Sequence, residues 1–329
     1  MDKKTRVFSG TRPTGPLHLG NYFGGIKGYL DLQERKDLDC LYAVVDLHGI
    51  TSPYDPQKYP QQVKELVLDY LACGLNPKKS HLIIQSQIPE HLELAYYFST
   101  LYPVSRLEQL PTYKEKKIEQ PKYINLGLLY YPILMAADIL IYKSELVPVG
   151  KDQLPHLELT REVARSFNHY FGKTFPEPQA YLTKGAYIPS LTGEGKMSKT
   201  KEDSYISLID NLETIRRKLS KVPTDFGKGK KIPKNGGVNT LLTLIELFMA
   251  DDQRKRYEKE YLTTGIKYQP LKEDLAQRIY SYLKPIQEKR QYYESKTDLI
   301  KKILKEGSTY ASQIAKETLK EVKKKMGIS

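Results

Sequence analysis

Short runs of β-branched and aromatic residues alternate with amphipathic stretches through the first half of this chain, and that rhythm constrains the fold more than any motif does. RVFS (6–9) leads to a helical stretch from about Gly20, CLYAVV (40–45) to one over 56–73, and HLIIQS (81–86) to one over 91–101. Strands alternating with helix-length connections point to parallel pairing, because parallel neighbours need a crossover of that length and a helix is its usual form. In the second stretch Val63, Leu66, Val67, Tyr70 and Leu71 recur at the spacing of one buried helical face. The glycine of CGLN (73–76) stops it. A longer apolar helix, GLLYYPILMAADILIY (127–142), precedes a strand LVPV (146–149), the turn GKDQ (150–153) and another helix over 154–168. LVPV reads as the fourth or fifth strand of the same sheet. After residue 205 the strand signals stop, and helical patterns cover 211–221, 238–249, 268–294 and 308–326. The expectation is an α/β fold: a doubly wound, Rossmann-like parallel sheet over residues 1–200, followed by an all-helical domain over 201–329. The last helix is a candidate to pack back on the sheet domain.

The chain has 329 residues, 40% of them hydrophobic and 28% charged, so it can bury a core and disorder is not expected. Its net charge of +13 suits a polyanionic partner such as nucleic acid, a nucleotide or an anionic membrane, and a lysine-rich proteome would produce the same excess. KVPTDFGKGKKIPKNGG (221–237) and Lys316, Lys320, Lys323, Lys324 and Lys325 carry much of it; each is either a phosphate-contacting surface or a solvated face. The start, MDKKTRVFSG, has no apolar segment behind its lysines, and runs such as LYAVV are too short to span a bilayer, so a cytoplasmic protein without a membrane partner is expected. Cys40 and Cys73 form no CxxC and indicate neither a disulfide framework nor a metal site.

FSGTRPTGPLHLGNYFGG (8–25) follows the first strand directly and opens the first helix. Glycines at 10, 15 and 20 let a ligand approach the backbone, and a helix start presents unpaired N–H groups to phosphate. The spacing matches neither GxGxxG nor the phosphate loop of common ATPases. His18 and Asn21 lie where both can reach one phosphate or ribose, although a lone histidine at a helix start is more often a cap. Far along the chain, GKMSKT (195–200) sets Lys196 and Lys199 around Met197 and Ser198, with Gly193 and Gly195 beside them. A loop of this kind can bring two ammonium groups to a triphosphate, or it can be a solvated turn.

Together PLHLGN and GKMSKT resemble the two signatures, HIGH and KMSKS, of class I aminoacyl-tRNA synthetases. The similarity extends through VVDLHGITSPYDP (44–56) and residues 131–168 and looks like the tryptophanyl branch over nearly the whole first half. It is weaker in GVNTLLTL (237–244), DLAQRIYSYLKPIQEKR (274–290) and the basic end. The resemblance implies a sheet domain of the HUP type and a helical anticodon-binding domain. It implies activation of L-tryptophan by ATP, with Mg²⁺ on the phosphates, transfer to the end of the cognate tRNA, and a homodimer.

For the nucleotide it implies Arg12, Pro13, Thr14, His18, Gly20, Asn21, Gly150, Lys151, Asp152, Ile188, Lys196, Met197, Ser198, Lys199 and Thr200, with His18, Asn21, Lys116, Lys196 and Lys199 as the catalytic set. Tyrosyl enzymes share fold and signatures, so the amino-acid pocket must decide between the two substrates. Asp138 lies on an apolar helix and is costly to bury without a donor; either a lysine or a neighbouring element satisfies it, or a ligand N–H does. Met135, on the same face, adds a polarizable surface. The resemblance places Asp138 where tryptophanyl enzymes bind the indole nitrogen, with Phe8, Gly10, His48, Met135, Val147, Val149 and Gln153 around the amino acid. Three positions depart from the common pattern: Asn21 closes the first signature, Thr200 the second, and Arg12 stands where many relatives have Gln. The cysteine cluster of some bacterial relatives is absent. Two other classes remain: a different nucleotidyltransferase with the same loops, which has no need of the basic helical half, and a non-catalytic RNA-binding relative, which has no need of the ATP residues.

Overall fold

The structure is a computed structural model and describes residues 4–119, 121–182, 187–199, 201, 203–250 and 252–328. Its sheet has five parallel strands, β1 (Thr5–Thr11), β2 (Leu38–Val44), β3 (Ser80–Ile84), β4 (Leu146–Val149) and β5 (Gln179–Leu182), in the order β3-β2-β1-β4-β5. The order reverses at β1, so the carboxyl end of β1 is the switch point of an open doubly wound sheet, where such folds bind ligands. β5 has no counterpart in the sequence reading: QAYL is four residues long and none of them is buried, so no apolar run marks it.

Neighbouring residues on each strand enter different cores, as the period of two requires. Val7, Tyr42 and Leu82 join one apolar cluster and Phe8, Leu41 and Ile83 the other. The first cluster continues through Met197, Ile206 and Leu208 into Leu241, Leu275 and Ile279; the second takes in Ala311, Ile314 and Val322. Residues beyond 205 therefore line both faces of the sheet domain.

Helix Tyr59–Cys73 buries the expected stripe, with Leu66, Val67, Tyr70 and Leu71 all buried, and Gly74 caps it. The apolar helix spans Leu126–Leu140 and leads to β4; Leu154–Phe171 follows the turn Lys151–Gln153. Beyond β5 come Leu212–Ser220, Gly236–Phe248, Gln253–Leu262, Tyr268–Glu294 and Thr297–Met326. Gln253–Leu262 was invisible to periodicity because only Tyr261 of its ten residues is buried. The final helix begins eleven residues before the segment 308–326 read from the pattern. Gly307, just before that segment, is where the helix meets β3: a Cβ there would stand 2.2 Å from the Leu82 carbonyl oxygen. Tyr310 stacks on His81 and donates to Asp39 at 2.6 Å, so this helix lies against the β3 edge of the sheet.

Candidate active site

The backbone leaving β1 turns through Arg12–Pro16 and enters a short helix, Leu19–Asn21, that runs on as a π-helical turn, Tyr22–Ile26, and then as Lys27–Gln33. His18 is its N-cap. Its Nδ1 accepts from the Asn21 N–H at 3.3 Å, while the Asn21 side chain accepts from the His18 N–H at 3.2 Å. This reciprocal box uses a histidine where serine or threonine is usual. With Nδ1 occupied as acceptor, a neutral ring carries its proton on Nε2 and offers one donor. Burial, followed by the charges of Lys199, Lys196 and Lys218, lowers the His18 pKa to about 4, so the ring is neutral at pH 7. Gly20 gives that ring room: a Cβ would sit 2.9 Å from it.

The lysine loop folds against this helix start. Pro189 and Lys196 form an antiparallel bridge, Ser190 N–H donates to Gly195 O at 2.9 Å, and Ile188 and Met197 are buried beneath. Lys199 reaches across the gap and donates from Nζ to the Gly15 carbonyl at 2.7 Å. Burial lowers its pKa to about 8, with the Asp69 carboxylate opposing and the Arg12 guanidinium adding to the shift. Lys196 stays exposed, and its ammonium stands 3.6 Å from Asp152 on the turn after β4. Burial works against ionisation of Asp152, but Gln153 and Lys196 hold its carboxyl below the usual range. Sequence-distant groups (His18, Lys199, Lys196 and Asp152) thus come near one another beyond the carboxyl ends of β1 and β4. Lys116 is not among them. It sits on helix Pro111–Glu119 and pairs with Glu119 at 2.5 Å. Thr200 lies outside the described residues.

The second half of the site is a buried carboxylate. Asp138 is 1% exposed, and both of its oxygens are engaged: His48 Nε2 at 2.8 Å, Gln85 Nε2 at 2.7 and 2.8 Å, and His91 Nδ1 at 2.6 Å. His91 Nε2 in turn meets the Tyr142 hydroxyl at 2.7 Å, and Phe8 stacks on Tyr142. Burial opposes ionisation of Asp138, but the hydrogen bonds and charges of His48 and His91 outweigh it and keep the carboxyl well below its ordinary range. Phe8 and Val147, with the partly buried Met135 and Val149, belong to the apolar cluster around this carboxylate. Gln153 lies one residue from Asp152 and donates to it at 3.1 Å.

Sequence reasoning missed Gln85, His91 and Tyr142, and also the trio Tyr131, His156 and Thr112, whose polar atoms meet within 3.0 Å. A signal existed for His91: with Leu94, Ala95 and Phe98 it completes the buried face of helix Glu90–Ser99, a place for apolar residues unless a polar partner waits. Gln85, just after β3, carried no such mark. Among the described residues no group of three or more His, Cys, Asp or Glu is placed to hold a metal ion.

Comparison with known proteins gives a consistent result. The family model for class I tRNA synthetases (W and Y) matches residues 1–284. The tryptophan–tRNA ligase of Deinococcus radiodurans is 40% identical over 327 residues, covering 98% of both chains, and that of Caldanaerobacter subterraneus 41% over 329 residues with the same coverage. The crystal structure of tryptophanyl-tRNA synthetase from Campylobacter jejuni complexed with ADP and tryptophan superposes with a TM-score of 0.84 at 32% identity, covering 98% of this chain and 99% of that one.

Proposed function

The chain belongs to the class I tRNA synthetases for tryptophan and tyrosine, and from that membership we infer that it activates tryptophan with ATP and attaches it to tRNA. It is an ATP-dependent ligase. The tryptophan carboxylate attacks the α-phosphorus, pyrophosphate leaves, and the aminoacyl group passes from the adenylate to the tRNA's terminal ribose. No covalent enzyme intermediate is required, so the protein works by positioning and charge stabilisation.

The observation that carries the residue assignment is the approach of the two lysines, His18 and Asp152 to one another at the switch point. In this reading neutral His18 donates from Nε2 to a phosphate oxygen. Lys199 leaves Gly15 O for the triphosphate, and Lys196 leaves Asp152, whose carboxylate then accepts a ribose hydroxyl. Asn21 fixes the His18 ring, Arg12 to Thr14 and Gly150 to Asp152 border the nucleotide, and Lys116 joins when its helix closes. Mg²⁺ arrives on the phosphates.

Asp138 selects the indole through its N–H. Since both carboxylate oxygens already hold donors, the indole must displace one; His48 is the more exposed of the two histidines and the one to yield. Residues 201–329, with the lysines of 221–237 and of the last helix, make up the tRNA-binding domain. Leu92, Tyr96, Val104, Ile118 and Leu126 are exposed on successive elements and would supply the apolar surface of a homodimer. No helix among the described residues is long and apolar enough to cross a membrane, and translation is the work of the cytoplasm. ATP–pyrophosphate exchange with tryptophan and tyrosine side by side is the test. Exchange with tryptophan alone is expected; dependence on tyrosine would overturn the Asp138 assignment, and silence with both would overturn the activity.

A further inference from the structure

The residue before His18 is fastened at both of its backbone groups, and both fastenings lead to one helix face in the second half of the chain. The Leu17 N–H cannot join the helix that follows, because it precedes the N-cap. It donates instead to Asp69 Oδ2 at 3.2 Å. Asp69 is 3% exposed on helix Tyr59–Cys73, and its other oxygen accepts from Arg290 Nε at 2.9 Å. Arg290 also pairs with Glu65, one turn before Asp69 on the same helix.

The Leu17 carbonyl accepts from Leu208 N–H at 2.9 Å, and the Leu208 carbonyl from the Gln287 amide, also at 2.9 Å. Gln287 holds the Asp210 carbonyl as well. Gln287 and Arg290 are three apart on helix Tyr268–Glu294 and therefore share a face. Five residues before Gln287, Tyr282 meets the hydroxyl of Tyr22, at the start of the π-helical turn behind His18.

We propose that Arg290 is a positioning residue for the activation step: through Asp69 it sets the height of residues 15–21 above the sheet and so the placement of His18 at the nucleotide. This rests on the reading of those residues as an ATP site. The buried carboxylate without its guanidinium has one backbone donor left, and the loop it anchors is free to shift. A displacement of about 1 Å at reacting groups can cost on the order of a hundredfold in rate.

The experiment is ATP–pyrophosphate exchange on Arg290→Gln and Arg290→Lys, with KM for ATP and for tryptophan measured separately and thermal midpoints recorded. Arg216→Gln serves as a control, because Arg216, on helix Leu212–Ser220, donates to both carboxylate oxygens of Glu273 on helix Tyr268–Glu294 without reaching either loop. Arg290→Gln should lower kcat/KM for ATP at least tenfold while KM for tryptophan stays within about twofold. Arg290→Lys retains a cation for Asp69 and should recover part of the loss; it also supplies a folded variant should Arg290→Gln fail to fold. Arg216→Gln should leave both constants unchanged. A folded Arg290 variant with wild-type ATP kinetics, an equal rise in KM for ATP and for tryptophan, or the same loss in Arg216→Gln would overturn the proposal. Absence of exchange in the unsubstituted protein would instead overturn the function on which it rests.

Discussion

If Lys199 stabilises the triphosphate as an ammonium ion, activity must fall as that ion loses its proton, and the structure says where. Burial brings the group from an ordinary value of 10.5 to about 8. This penalty on the charged form is on the order of 3 kcal/mol at 1.36 kcal/mol per unit. The charge of a bound triphosphate opposes it. The free protein is therefore roughly nine-tenths protonated at pH 7 and roughly one-tenth at pH 9, so kcat/KM for ATP, which reports the free enzyme, should drop about tenfold across that interval. The assay is pyrophosphate exchange at saturating tryptophan. Lys199→Arg provides the decisive comparison, since a guanidinium keeps its charge throughout this range. Its profile should be flat between pH 7 and 9 even if its rate is lower, because the longer planar group does not fit a site built for an ammonium. A wild-type profile without the alkaline limb, or an arginine variant that keeps it, would refute the assignment of that charge to Lys199. Removing the charge in Lys199→Ala should slow activation by about 10²–10³, the usual cost of losing one stabilising donor.

Asp138→Asn should raise the tryptophan KM at least tenfold and leave the KM for ATP nearly unchanged. It should also lower stability by about 2–4 kcal/mol, because an amide cannot accept from His48, Gln85 and His91 together; an unaltered tryptophan KM would count against the pocket. Acid should destabilise the protein through His18. Its folded pKa of about 4 lies below the ordinary 6.5, so the unfolded chain binds the proton first as pH falls. Stability is complete above pH 6.5 and declines toward pH 4 by on the order of 2–3 kcal/mol. Urea midpoints across this range should vary less in His18→Gln, and parallel curves would refute the shift. Gly307→Ala should cost about 1–3 kcal/mol through the clash with the Leu82 carbonyl, read as a lower thermal midpoint; an unchanged midpoint would mean that the last helix does not bear on β3 as described.

What the sequence disclosed and what it hid divide along one physical line. Periodicity reports burial along a single element, so β1 to β4, the stripe of Tyr59–Cys73 and the span Tyr268–Glu294 were all legible. Elements that bury little, such as β5 and Gln253–Leu262, left no pattern to read. The final helix was read only from residue 308, and Gly307 at that boundary is a point of close approach that only the neighbouring strand explains.

The same line runs through the site. The two signatures were recognisable because each is a local string whose loop chemistry is carried by consecutive residues. The groups that hold those strings in place are single polar residues on apolar faces, each contributed by a different element. His91 and Gln85 fix Asp138, and Asp69 and Arg290 fix Leu17. A buried polar residue is expensive unless its partner is present, so His91 and Asp69, on buried helix faces, each implied a partner without naming it. The lysine loop follows the same logic from its far side: Gly193 O accepts from Gly236 N–H at 3.1 Å and Ser190 O from Thr240 Oγ1 at 3.0 Å, both at the start of helix Gly236–Phe248. Each loop is thus tied to a helix of the second half, the first through Asp69 and Arg290 and the second directly. The helical half is as much a part of the geometry at the switch point as the strands that lead to it.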